Sequence, residues 1–156
     1  MKCRERAKIY LEMNDIEYQS HQHPEVFTAQ EVAEIEHVPG QLVAKVVVVF
    51  ADDEMVMLAL PADHKVNLRD LAEAVGATDV QLAYEDEFAD RFSDCEIGAM
   101  PPFGAMYDIP VFVDSSLTED DTIYVQAGTH TETLSLSYSD YERLEKPKVC
   151  AFARHL

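Results

Sequence analysis

Between Leu42 and Phe50 the chain reads LVAKVVVVF, nine residues of which only Lys45 is not apolar. Extended, the run sends Val43, Lys45, Val47 and Val49 to one face and Leu42, Ala44, Val46, Val48 and Phe50 to the other, because side chains alternate along a strand. Both faces are apolar. A sheet with one wet face would show polar alternation, so this strand must be covered on both sides. Lys45 is therefore not on open surface. The run by itself leaves two readings of it. Either its four-carbon stem lies along the sheet and the ammonium snorkels to water, or it lines a cavity that needs a cation.

The segments around this strand supply the rest of the expected fold. Arg4 to Met13 reads as a short helix and IEYQSHQ as an edge strand. TAQE, Thr28 to Glu31, is a capping box that opens a helix running to Glu36, ahead of Pro39 and Gly40. The Leu42 strand turns at ADDE and returns as MVMLALP, a hairpin by pattern. Asn67 caps LRDLAEAV and Gly76 stops it. Tyr84 to Phe92 reads as a helix with Phe88 and Phe92 on one side. Strands PVFVD, TIYVQA and ETLSLS follow, with SSLTEDD as a polar connector, and Ser139 to Glu145 forms a last helix before Pro147. Hairpins mixed with helices, without regular βαβ units, predict an α+β fold. With no repeat or linker in sight, residues 1–156 read as a single domain.

Composition narrows the function classes. Acidic residues number 30 against 12 Lys and Arg, a net charge of −18. Such a surface repels phosphate backbones, which argues against DNA and requires any RNA contact to be local. No stretch has the length of a membrane span and the start lacks the apolar block of a signal peptide, which predicts a cytoplasmic protein. Cys3, Cys95 and Cys150 are odd in number, far apart and without CxxC spacing, so they are expected to be reduced and structural.

Two loops could carry chemistry. IGAMPPFGAM, Ile97 to Met106, combines flexible Gly98 and Gly104 with rigid Pro101 and Pro102. It fits either a turn plugged into the core by Met100, Phe103 and Met106, or a loop that presents backbone N–H groups to an oxyanion. VQAGTHTET places Thr129, His130 and Thr131 at a hairpin tip beside Gly128, where His130 is either an exposed turn residue or a pocket group. His21 and His23 share a strand face, which permits a metal pair, but no third ligand is near in sequence, and no metal or cofactor is expected. GxSxG, HExxH and Walker patterns are missing from the sequence.

In order, LVAKVVVV, LALPADHKVNLRDLA, VQLAYEDEF, CEIGAMPPFG, IPVFVDSSL and IYVQAGTHTETLSLSYSDYERL closely resemble the YbaK family, proteins similar to the editing domain inserted in bacterial prolyl-tRNA synthetase. The strand lysine Lys45 and the GxxxP loop Gly98 to Pro102 carry the most specific part of the match. The resemblance implies a mixed, largely antiparallel curled sheet flanked by helices, and an aminoacyl-tRNA deacylase that hydrolyses the ester of a mischarged tRNA in trans. By the same resemblance Lys45 holds the substrate end. Gly98, Ala99, Met100, Pro101 and Pro102 form a backbone donor loop at the ester. His130, with Gly128 and Thr129, lines the substrate pocket. The implied partners are the acceptor end of aminoacyl-tRNA and a synthetase or elongation factor. The alternative is a non-catalytic ligand-binding or regulatory module on the same fold.

Overall fold

The computed structural model describes Met1–Leu156. Its helices are α1 (Cys3–Met13), α2 (Ala29–Ile35), α3 (Leu68–Val75), α4 (Glu85–Phe88) and α5 (Tyr138–Glu145). Its long strands are β2 (Val43–Ala51), β3 (Glu54–Pro61), β7 (Thr122–Gln126) and β8 (Glu132–Ser137), joined at the edges by β1 (Tyr18–Gln22), β5 (Val80–Leu82), β6 (Val111–Asp114) and β9 (Lys148–Cys150). The main sheet has the order β1-β8-β7-β2-β3-β6-β9, with β5 also on β2. β4 (His64–Val66) and β10 (Ala153–His155) form a separate ribbon. The long ladders β1–β8, β7–β8 and β2–β3 are antiparallel, and the short contacts β2–β7, β3–β6 and β6–β9 are parallel. The fold is the expected mixed α+β sheet.

β2 is the hub. β7 pairs with its first half through Val43 and Ala44, and β5 takes the same edge at its far end through Val49 to Ala51. Its two faces enter different cores. Ala44 and Val48 join the large core built on α1, β3, β6, β7, β8 and α5. Val49 packs with Leu58, Leu60, Leu71 and Phe152, while Val43 packs with Val32 and Ala33 of α2. Covering both faces removes the apolar side chains from water, worth about 1.5–3 kcal/mol for each fully buried valine or leucine.

Local signals operate as the residue types require. The Thr28 hydroxyl accepts from the Glu31 N–H and the Glu31 carboxylate answers at the Thr28 N–H, so the capping box is reciprocal. Asn67 accepts from the Asp70 N–H, and Gly76 ends α3 at φ 70°. Asp52 and Asp53 both take positive φ, 48° and 67°, the geometry of a tight two-residue hairpin turn. The Asp52 carboxylate steadies that turn by accepting from Thr78 and Asp79 N–H groups.

Two expectations change. Tyr84 to Phe92 is not one helix: α4 gives way after Phe88 to a 3-10 turn, Ala89–Phe92. Phe88 and Phe92 still meet, with ring centroids 6.2 Å apart, so the burial is kept with a tighter backbone. Cys3 and Cys95 are not free thiols but a disulfide, their Cα atoms 4.9 Å apart across 92 residues of chain; Cys150 alone is free. No local spacing announces a pair made by docking α1 against the segment ahead of the Gly98 loop.

Candidate functional site

Lys45 is the third residue of β2, half-buried, opposite Leu60 of β3. It makes neither an ion pair nor a side-chain hydrogen bond. Burial lowers its pKa, and nearby Asp63 partly opposes that shift. The Asp63 carboxylate is itself engaged by His64 Nδ1 at 2.7 Å and His155 Nε2 at 3.3 Å. A desolvated ammonium with its hydrogens unused is a strong donor toward any oxygen-rich group that enters.

Strand register sets what stands beside it. The parallel ladder pairs Val43 with Tyr124 and Ala44 with Val125, so by alternation Gln126 points to the same face of the sheet as Lys45. Gln126 lies opposite Thr133, and Thr133 opposite His21. A polar row, Lys45–Gln126–Thr133–His21, therefore crosses four strands on one face of the sheet. α2 covers the neighbouring part of that face through Val32 and Ala33. His21 and His23 face β8, His21 Nε2 at 2.9 Å from Ser135 Oγ and His23 Nε2 at 2.8 Å from Thr133 Oγ1.

The second wall is the Gly98 loop. Gly98 adopts φ 85°, a conformation that glycine reaches without strain. The loop is laced to the β7–β8 connection: Glu96 N–H donates to Gly128 O at 2.9 Å and Gly128 N–H to Ala99 O at 2.8 Å. Gly128 takes φ 91° and lies so close to α1 that a Cβ there would meet Cys3 Sγ at 2.6 Å. Met100 and Phe103 enter the core, and Tyr141 holds the Pro102 carbonyl at 2.8 Å. The loop is thus anchored by its side chains, as the plugged-turn reading required. Ala99, expected among the donors, gives its N–H to Glu96 O at 3.0 Å, and the two prolines have none. The N–H groups of Gly98 and Met100 have no partner within the chain.

His130, on the β7–β8 connection, packs against the Gly98 loop. It is 7% exposed, not an open turn residue, and its Nε2 lies 2.9 Å from Ile97 O. That contact makes Nε2 the protonated nitrogen and leaves Nδ1, buried and without a partner, as an acceptor. A Cβ at Gly98 would touch His130 Cε1 at 3.7 Å, and the Phe27 ring packs on the imidazole with centroids 4.9 Å apart. Phe27 is itself 58% exposed, an aromatic face at the rim of the site. Thr129 lies behind the loop, half-buried, its hydroxyl 3.3 Å from that of Thr131. Phe27, Asp63 and Gln126 were not singled out in the sequence. Of these only Gln126 had a signal: like Lys45, it is a polar residue inside an apolar strand.

A pattern describing the aminoacyl-tRNA editing domain matches residues 23–144, most of the chain, including Lys45, Gln126, the Gly98 loop and His130 but not His21. The chain belongs to the aminoacyl-tRNA editing domain family. It is 30% identical over 88 residues to the prolyl-tRNA editing protein ProX of Acetoanaerobium sticklandii, covering 54% of this chain and 53% of that protein. Against a proline–tRNA ligase of Bacillus cereus it is 27% identical over 133 residues, 79% of this chain but 23% of the ligase. The editing-domain chain thus spans about half of the first relative and under a quarter of the second. The fold also matches a crystal structure described as a candidate trans-editing enzyme for prolyl-tRNA synthetase, with a TM-score of 0.85 at 17% identity over 99% of this chain and 98% of that one. No helix of this editing domain is long and apolar enough to cross a membrane.

Proposed function

We propose that this editing domain is a trans-acting deacylase that hydrolyses the ester linking a wrong amino acid to the terminal ribose of a tRNA. The observation that carries the proposal is Lys45, a half-buried cation without an ion pair on a sheet face; the unbonded N–H groups of the Gly98 loop support it. An aminoacyl ester is already activated. Its hydrolysis needs a positioned water and donors for the developing oxyanion, not a strong protein nucleophile. Water adds to the ester carbonyl, and collapse of the adduct releases the free amino acid and the ribose hydroxyl, which recovers a proton.

In this reading Lys45 holds the oxygen-rich end of the terminal nucleotide, and the Gly98 and Met100 N–H groups face the ester oxygen. Pro101 and Pro102 keep the loop rigid, His130 shapes the amino-acid side of the pocket, and Gly128 and Thr129 support it from behind the loop. The names of the relatives make tRNA for proline, charged with another amino acid, the first substrate class to try. A net charge of −18 disfavours a broad RNA footprint, so the acceptor end is the contact, with a synthetase or elongation factor supplying the remaining affinity in the cytoplasm. The same charge favours a second reading, a non-catalytic interaction module.

Deacylation of mischarged proline tRNAs by the wild-type chain and by Lys45→Met separates the two. The deacylase reading expects turnover to fall at least about 100-fold in the variant, as for loss of a central electrostatic contact. The circular dichroism spectrum should be retained, since a half-buried unpaired charge is replaced by an apolar chain of similar length. Equal rates for the two proteins would sink this mechanism.

A further inference from the structure

Gln126 is the last residue of β7 and is 8% exposed, yet its side-chain Nε2 has no acceptor anywhere in the chain. A buried amide donor left unsatisfied costs about 1–3 kcal/mol, so a chain keeps one only where something else accepts from it. Its surroundings say what that acceptor is. On the same face of the neighbouring strand β2 stands Lys45, another donor with no partner, and Thr133 across the other ladder is hydrogen-bonded to His23. Two unpartnered donors on one face of neighbouring strands, one of them cationic, define a place for acceptor oxygens and exclude a cation.

We infer that Gln126 is a substrate-binding residue that donates through Nε2 to an acceptor oxygen of the same terminal nucleotide that Lys45 holds. This rests on the deacylase reading of the site. Gln126 shares a sheet face with Lys45, whereas the ester is assigned to the Gly98 loop. Its contact is therefore made equally in the bound substrate and in the transition state. Contacts of that kind lower KM and leave kcat alone. A methionine has nearly the shape of glutamine without the donor; a glutamate has the shape but carries acceptors in place of the donor and pairs with Lys45.

The test is steady-state deacylation of alanyl- and cysteinyl-tRNA for proline by wild type, Gln126→Met and Gln126→Glu, with a thermal melt of each protein. The inference expects Gln126→Met to raise KM roughly tenfold with kcat within about twofold, the loss of one hydrogen bond made in both states. Gln126→Glu should raise KM further. Gln126→Met should melt no lower than wild type, because it removes an unsatisfied buried donor; a purely structural glutamine would instead lower the melting temperature and leave KM alone. An active wild type with an unchanged KM in Gln126→Met, or with a fall confined to kcat, overturns the role of Gln126 and leaves the deacylase intact. A wild type that hydrolyses neither substrate, while Gln126→Met keeps its fold, overturns both.

Discussion

Asp120 offers a quantitative check on the electrostatics of a buried carboxyl in this fold. Its carboxyl is 9% exposed and Oδ2 has no partner; only Gln41 Nε2 approaches the other oxygen, at 3.4 Å. Burial pushes its pKa up to about 6, with Glu119, Asp63 and Asp121 adding repulsion and Gln41 opposing it. A group whose pKa is higher in the folded than in the unfolded chain binds its proton more tightly when folded. Stability then falls as pH rises from the unfolded value near 4 to the folded value near 6, and stays lower above that. A shift of about two units is worth at most about 3 kcal/mol at 1.36 kcal/mol per unit, and the new amide of an asparagine recovers only part of it. Asp120→Asn is therefore expected to be more stable than wild type by about 1–3 kcal/mol at pH 8 and to lose that advantage near pH 4. Urea unfolding of both proteins at the two pH values measures the difference. A variant that is less stable at pH 8, or whose advantage is the same at both, would refute the assignment of a strained, buried carboxylate.

Other predictions concern the loop, its anchor and the charged surface. Gly98→Val should lose deacylation and about 1–3 kcal/mol of stability, because φ 85° excludes a β-branched side chain. Ala99→Ser should stay active, since the loop acts through its backbone; stop-time deacylation assays and urea midpoints read both. Cys3→Ser, or a reductant on the wild type, should lower the melting temperature by roughly 5–15 °C, the effect of about 2–4 kcal/mol from opening a long cross-linked loop. A melt indifferent to reductant, with three thiols titrating, would show that Cys3 and Cys95 are not joined. Deacylation of mischarged tRNA should fall steeply as salt rises from 50 to 300 mM (about one to two decades) unless a partner protein is added, because the few cations must act against a repulsive surface. Tight binding of free tRNA that ignores salt contradicts that account.

What the sequence determined was local and periodic. The two apolar faces of Leu42 to Phe50 require a strand covered above and below, and the structure divides those faces among separate cores. Thr28 with Glu31, and Asn67 with Gly76, place helix ends because capping needs only neighbours in the chain. Gly98 and Lys45 stood out for the same reason: each violates the expectation of its own segment. What only the tertiary structure decided depends on register and docking between distant segments. The short strands β5, β9 and β10 have three residues each, too few to show a period, and exist because an edge was free to receive them. The Tyr84 to Phe92 segment tightens into a 3-10 turn to seat both phenylalanines. Cys3 meets Cys95 only because α1 packs against the residue before it, Cys3 N–H donating to Asp94 O at 3.0 Å. Gln126 shares a sheet face with Lys45 only because β7 joins β2 in parallel at Val43 and Ala44. A slip of one residue would turn Gln126 to the opposite face, and no property of either strand read alone decides between the two registers.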